Sequence, residues 1–536
     1  MLDGFTPWPE EFARRYREAG YWTDENLGEL LRRQARDHPG RTALVVDPHR
    51  WTYAELDSRV DRMAAGLHGL GIGPGDRAVV QLPNVPELVV VLFALFRIGA
   101  LPVMALPAHR SSEIAYFCEF TEAAAYIIAD THLGFDYRTL AAEVVASVPT
   151  VKHVLVAGEP GDFVPLAEVD GDRLPDLPRP DPAAVALFLL SGGTTGVPKL
   201  VPRTHQEWSY SGRAVSEACG YHAGTVHMVS LPLCHNWPLT HGLLATFHAG
   251  ATLVLAPGPS PDESFPLIER ERVTETGLIP GAALLWMEAA DWGEYDISSL
   301  NRVTIGGTKL QPELAHRVEP ALGCRLQQAF GMAEGLCGFH RPDDPADVVL
   351  ISQGLPVSPA DEVRVVDEED NDVPLGEVGQ LLARGPYTTR GYYRADEHNA
   401  RSFTADGFYR SGDLVRLLPS GHVVFEGRVK DQINRGGDKI AAEEVENHLL
   451  AHPNVREVAL VGVPDEVLGE RSCACVVPRG QPPTLAELTT FLRDRGVAAF
   501  KFPDRLEIIG ALPLTPLGKV SKKQLAGMFG TRGSSG

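Results

Sequence analysis

Val185-Ala186-Leu187-Phe188-Leu189-Leu190 runs without a break into Ser191-Gly192-Gly193-Thr194-Thr195-Gly196-Val197-Pro198-Lys199. The first six residues are apolar throughout, the pattern of a strand buried on both faces. The next nine bring three glycines, three hydroxyls and a lysine. Glycines let a backbone approach a polyphosphate closely, hydroxyls add donors to its oxygens, and a lysine after the turn offsets negative charge. The stretch therefore predicts a phosphate-cradling loop directly after a buried strand. It is not a Walker A loop, because Pro198 stands where the second glycine of G-x-x-x-x-G-K-[ST] belongs. Nor is Gly69-Leu70-Gly71-Ile72-Gly73-Pro74-Gly75 a dinucleotide fingerprint. It precedes a strand instead of following one, and Pro74 breaks the expected helix start, so it reads as a turn.

Outward from the loop, apolar strand patterns alternate with helical ones. Ala78 to Leu82, Tyr126 to Ala129, His153 to Val156, Ala251 to Leu255 and Arg302 to Ile305 read as strands, and Val85 to Ile98 as a buried helix. This alternation predicts an α/β fold with largely parallel sheets and ligands at the carboxyl ends of strands. Residues 350–430 become strand-rich with Gly and Asp turns, a small β-subdomain. Past Gly427-Arg428-Val429-Lys430-Asp431 come a helix (Ala442 to His452), strands at Val458 to Val463 and Cys473 to Val477, and a helix (Thr484 to Asp494), the size of a small α+β domain. The expected division is 1–429, 430–530 and a tail, 531–536.

A net charge of −21 argues against binding nucleic acid or an anionic membrane. The seven cysteines show neither a disulfide framework nor zinc spacing, and the start lacks the basic-then-apolar pattern of a signal peptide. The run Leu88 to Phe96 is too short to span a bilayer. A soluble, cytoplasmic protein is expected.

Further motifs in order along the chain resemble those of the adenylate-forming superfamily of acyl-CoA synthetases, adenylation domains and luciferases. Within it the chain is similar to the aryl-acid AMP ligases that activate 2,3-dihydroxybenzoate and salicylate in siderophore pathways. The resemblance runs from Phe5-Thr6-Pro7-Trp8 to Gly518-Lys519-Val520. It implies a large N-terminal adenylate-forming domain of two α/β subdomains plus the small β-subdomain, closed by a mobile α+β C-terminal lid. ATP would bind at Ser191, Gly192, Gly193, Thr194, Thr195, Gly196, Lys199, Gly307, Phe330, Gly331, Asp413 and Arg428. In Phe330-Gly331-Met332-Ala333-Glu334 the aromatic ring would pack on adenine and Glu334 would help hold Mg²⁺; Ala333 replaces the superfamily's usual Thr. In Ser411-Gly412-Asp413 the carboxylate would take both ribose hydroxyls. Lys430 matches the hinge, Gly436 and Gly437 the thiol tunnel, and Lys519 the catalytic lysine of the lid.

By the same resemblance, His235, Asn236 and Trp237 line the acid pocket, with His235 also counted as catalytic, and Gly306, Gly307 and Thr308 form another wall. Leu336 and Cys337 would close the far end. Amino-acid-activating relatives commonly carry Asp where Asn236 stands, and a neutral amide cannot neutralise an ammonium group. His241 departs from the branch, which usually has a small Ser or Cys there followed by Pro at the position of Gly242. An imidazole could bond a ring hydroxyl, an amino group or a ring nitrogen, or simply fill space.

The expected reaction is two-step. Mg·ATP and an ortho-substituted aryl acid of the 2-hydroxy- or 2-aminobenzoate type give an aryl-adenylate and pyrophosphate. A pantetheine thiol on a carrier protein in trans then takes the acyl group, as in siderophore or nonribosomal peptide synthesis. The alternatives are an aryl-CoA ligase, or a ligase serving a non-thiol acceptor such as a second, 3-hydroxyanthranilate-like acid. A silent nucleotide-binding regulator is disfavoured by Glu334, Asp413, Arg428 and Lys519 occurring together. The oligomeric state stays open.

Overall fold

The computed structural model describes residues 2–172, 176–191, 199–435, 438–465, 468–495, 497, 499–515 and 519–530. Among these, the strands form two large sheets and two smaller ones, beside one two-stranded ribbon. The seven-stranded sheet has a parallel centre of Leu101–Met104, Arg77–Gln81, Ala125–Ala129 and His153–Ala157. Val185–Leu190 joins it parallel to Leu101–Met104 and pairs antiparallel with Leu200–Thr204. The nine-stranded sheet is parallel from Thr42–Val46 through Thr252–Leu255, Val226–Val229, Glu275–Leu278 and Arg302–Ile305 to Arg325–Met332. Its edges, Gly335–Phe339 with Leu355–Pro356 and His49–Thr52, are antiparallel.

Helix Pro86–Ile98 explains how the two sheets hold together. Proline at its first turn, where no N–H is needed, starts it, and Gly99 at φ 70° stops it. All its residues but Glu87 are buried, in a core shared with Ala78 and Val80 of one sheet and Leu44 and Leu253 of the other. The helix is apolar on nearly every side because it is covered, and its one buried charge, Arg97, pairs with Asp57 and Asp61.

A four-stranded antiparallel sheet, Glu362–Val366, Gly379–Arg384, Tyr409–Leu417 and Val423–Arg428, carries the β-subdomain. The chain then crosses a single 3₁₀ turn, Val429–Asp431, into the last sheet, where Gln432–Arg435 neighbours Asp438–Ala441 and Gly469–Pro478. That sheet has its own core, including Ile440, Val445, Leu460, Val476 and Leu488. No helix among the described residues is long and apolar enough to cross a membrane.

Candidate active site

The segment expected to cradle phosphate follows the strand Val185–Leu190. Ser191 N–H donates to the Lys199 carbonyl (2.9 Å), and Ser191 Oγ accepts from Lys199 N–H (3.1 Å), closing the neck of the loop. Gly192, Gly193, Thr194, Thr195 and Gly196 lie outside the described residues.

From the neck, a chain of contacts crosses the site. Lys199 Nζ stands 5.5 Å from the centre of the Tyr392 ring. The Tyr392 hydroxyl donates to Glu334 Oε1 (2.7 Å) and bonds the Tyr409 hydroxyl (3.0 Å). Burial, and then the Glu334 charge, hold the Tyr392 phenol protonated, so it serves as a donor. Glu334 is buried, with Oε1 engaged and its backbone carbonyl fixed by Thr389 N–H (2.6 Å). The carboxylate has a second oxygen to offer a hard, water-rich cation beside a polyphosphate, so the donor set fits Mg²⁺. Arg203 braces this segment from below, donating to the carbonyls of Ala333 (2.7 Å) and Tyr387 (2.6 Å) while pairing with the equally buried Glu207 (3.1 Å).

Asp413 and Arg428 face each other across the strand pair Tyr409–Leu417 and Val423–Arg428. Arg428 Nε lies 2.9 Å from Asp413 Oδ1 without aligning as a hydrogen-bond donor, so that buried oxygen is electrostatically compensated yet unbonded. An acceptor left open in this way suits a ribose hydroxyl. Phe330, half-buried, tilts against Phe425 at 6.0 Å.

Lys519 reaches the same place from the lid. Its backbone is pinned by Thr515, whose N–H donates to the Lys519 carbonyl (2.6 Å). Burial and the Arg428 charge, partly offset by Asp413, bring its ammonium down to about 8. The same cation, after burial, helps hold the His235 imidazole at about 4, so His235 is neutral near pH 7. His235 Nδ1 accepts from Trp237 N–H (3.4 Å), which puts the ring proton on Nε2. His235 is thus a donor, not a general base. Cys337 is no nucleophile either, since burial pushes its thiol up to about 12.

The acid end is aromatic. Asn236 Oδ1 accepts weakly from the Thr240 hydroxyl (3.5 Å), leaving its amide N–H groups to donate. Beyond it Pro238–Leu244 is a buried π-helical turn. Gly242 permits this turn, because a Cβ there would lie 2.3 Å from Val229 Cγ2. The wide turn carries His241 inward. Its ring stacks between Trp237 (5.7 Å, 16°) and Phe339 (5.3 Å, 28°) and meets the edge of His227 (4.8 Å). Gly306 has a use nearer home than a substrate ring: a Cβ there would stand 3.3 Å from Trp237 Cζ2, so the glycine admits the tryptophan. The Trp237 indole N–H is buried without a partner. Leu336 does not close the pocket. It points into the β-subdomain core with Val365, Leu381 and Val415, whereas Cys337 packs with Trp237 and Ala329. Neighbours on a strand, here Gly335–Phe339, face opposite ways.

Lys430 lies in the 3₁₀ turn between the last two sheets. Gly436 and Gly437 lie outside the described residues, as do 531–536. Tyr392, Arg203, Tyr221 and His227 are contributors the sequence reading missed. None lies in a motif. Another cluster, His340, Asp344 and His422, has metal-like spacing but spends its nitrogens internally, on Gln328 N–H (3.2 Å), Ser352 (2.9 Å), Ser420 (2.9 Å) and Asp344 (3.0 Å).

Comparison with known proteins gives the family. Residues 31–393 match the family model for AMP-binding enzyme, and 444–519 that for the AMP-binding enzyme C-terminal domain. The chain is 55% identical over 528 residues to the 2,3-dihydroxybenzoate-AMP ligase of Bacillus subtilis, covering 98% of this chain and 97% of that one. It is 48% identical over 537 residues to the salicyl-AMP ligase / salicyl-S-ArCP synthetase of Mycobacterium tuberculosis, covering 99% and 95%. Among solved structures, apo MbtA of Mycobacterium smegmatis aligns with a TM-score of 0.77 at 48% identity, over 98% of this chain and 99% of that one. The chain belongs to the AMP-binding, adenylate-forming enzyme family, in its branch of aryl-acid AMP ligases.

Proposed function

We propose that this enzyme joins an ortho-substituted aryl acid to the AMP moiety of ATP and then passes the acyl group to a carrier-bound pantetheine thiol. The observation that carries this reading is the Arg428–Asp413 pair (2.9 Å) with Lys519 near enough to feel both charges and to act in turn on His235, the neighbour in sequence of the neutral amide of Asn236. A carboxylate oxygen attacks the α-phosphorus and pyrophosphate leaves, so charge builds on phosphoryl oxygens. The Lys519 ammonium would meet such charge, and the His235 Nε2–H would donate to the attacking carboxylate. Asp413 would orient the ribose, Phe330 and Gly331 the adenine, and Ser191, Lys199, Gly307 and the loop between Gly192 and Gly196 the phosphates. Glu334 would hold Mg²⁺, which neutralises polyphosphate charge when bound.

His235, Asn236, Trp237, His241, Gly306, Gly307, Thr308 and Cys337 would form the acid pocket. In the second step residues 430–530 would turn as a unit against 1–429 at Lys430, withdrawing Lys519 and bringing Gly436 and Gly437 to the thiol path. The thiol sulfur then attacks the acyl carbon and AMP leaves. Seven cysteines without a disulfide support work in a reducing cytoplasm.

ATP–pyrophosphate exchange over a panel of benzoates and amino acids tests the first step. Exchange with 2-hydroxy- or 2-aminobenzoates is expected; no exchange with any acid would overturn the function, and exchange with amino acids alone would overturn the pocket. Acyl transfer to a phosphopantetheinylated carrier, compared with coenzyme A, separates the two thiol acceptors.

A further inference from the structure

Behind His241 lies a polar string that no motif announces. The Tyr221 hydroxyl sits between His241 Nε2 (2.9 Å) and His227 Nδ1 (2.8 Å). Both histidines are buried, at 2% and 1% exposed. Tyr221 rests on the Arg302 guanidinium (5.9 Å), itself paired with Glu275 (2.9 Å). The outer nitrogens, His241 Nδ1 and His227 Nε2, have no protein partner among the described residues. His241 Nδ1 lies over Gly277, where a Cβ would stand 3.3 Å away, beside the Trp237 ring edge at 3.4 Å. It therefore shares a floor with the residues of the acid pocket.

A phenol has one hydrogen to donate, and each neutral imidazole has one N–H and one lone pair. Burial, with the Arg302 cation nearby, keeps both imidazoles neutral: His227 is held at about 3, and His241 well below the usual histidine range. Two arrangements then satisfy the string. In the first, Tyr221 donates to His227 Nδ1 and accepts from His241 Nε2–H, leaving His241 Nδ1 a bare acceptor and His227 Nε2 an N–H. In the second, Tyr221 donates to His241 Nε2 and accepts from His227 Nδ1–H, so that His241 Nδ1 carries the hydrogen. Passing from second to first moves one proton along each hydrogen bond, releases one to solvent from His241 Nδ1 and takes one up at His227 Nε2. The net charge is unchanged.

We propose that Tyr221 and His227 are positioning residues that let His241 Nδ1 present either hydrogen-bonding sense to the bound acid. The enzyme's substrates then belong to the class of aryl or heteroaryl acids bearing a second polar ring atom or substituent, whether an N–H or O–H donor or a bare ring nitrogen. This inference rests on His241 lining the acid pocket, as proposed above.

The test compares kcat/KM in ATP–pyrophosphate exchange for benzoate, 2- and 3-aminobenzoate, and pyridine-2- and pyridine-3-carboxylate. In the unmodified enzyme the amino and the aza acid of one ring position should both exceed benzoate. In His227→Leu the Tyr221 hydrogen has only His241 Nε2 to meet, which fixes Nδ1–H. The amino acid of that pair should fall at least about tenfold relative to the aza acid, because two donors then face each other. His227→Asn, whose amide serves in either direction, should restore the balance. A common factor across all acids in His227→Leu would overturn the inference and leave His227 a packing residue. So would the absence of any ring position favouring both acids. Should His227→Leu fail to fold, ¹⁵N resonances of His241 in the unmodified enzyme decide. Nδ1 is expected unprotonated with the bound amino acid and protonated with the aza acid; the same state in both refutes the inference. No exchange with any aryl acid would instead overturn the proposed function itself.

Discussion

Replacing Lys519 by alanine removes the lid's cation from a site where Arg428 and Asp413 remain. A preorganised group facing transition-state charge contributes about 10²- to 10³-fold in rate, so adenylation should fall by that amount. Thioester formation from supplied aryl-adenylate should stay within about threefold, because the lid would have carried Lys519 away in that step. The ammonium has come down from 10.5 to about 8, a disfavour of the cation by about 3 kcal/mol. For a lysine lowered in this way, the active cation is fully present below pH 7 and is lost as pH rises through 8. Roughly nine-tenths of the free enzyme is protonated at pH 7 and about one-tenth at pH 9, so kcat/KM for exchange should drop about tenfold between them. Lys519→Arg keeps the cation and should carry the falling limb above pH 10. The assay is pyrophosphate exchange across pH with saturating acid. Alanine within about fivefold of the unmodified rate, or an unmoved limb in the arginine variant, would refute the role.

Asp413→Asn removes a carboxylate acceptor and leaves Arg428 uncompensated, so the KM for ATP should rise about tenfold or more while the KM for the acid stays near its original value. Arg203→Met leaves Glu207 buried without its partner and frees the Ala333 and Tyr387 carbonyls; unfolding in urea should show a loss of about 3–5 kcal/mol, eased by Glu207→Gln in the same chain. Gly242→Ala drives a methyl to 2.3 Å from Val229, and thermal melts should show destabilisation of about 1–3 kcal/mol with a shifted acid profile.

What the sequence made legible was local. Val185 to Leu190 reads as a buried strand because nothing polar interrupts it, and its observed ends are the same six residues. Glu334, Asp413, Arg428 and Lys519 were found one motif at a time, and their convergence became visible only when the sheets and the lid were in place. The acid pocket was less legible because its geometry is set by packing between elements. Gly242 is a small departure beside His241 in the sequence, yet the absence of a side chain there lets the wide turn that carries His241 pack against Val229. Leu336 and Cys337 are adjacent in sequence, and only strand alternation separates them into two cores. Tyr221 follows the helix-ending Gly220, His227 sits in a strand and His241 in the π-turn. No spacing rule joins three such positions.

The two ends of the site use different physics. The end proposed for the nucleotide would be built from ions: Lys519, Arg428, Asp413 and Glu334. Charges of that kind act over several ångströms and tolerate small errors in position. The end proposed for the ring would be built from neutral donors and acceptors, on Asn236, Trp237, His241, Tyr221 and His227, of which the two imidazoles are buried. Neutral hydrogen bonds act only in contact, and an unmatched buried partner costs about 1–3 kcal/mol. Changing a charge at the first end should therefore slow every acid alike, whereas changing a proton's place at the second should reorder them. On the proposal made for Tyr221 and His227, the identity of the acid would be encoded less in which residues line the pocket than in which of their nitrogens carry hydrogen.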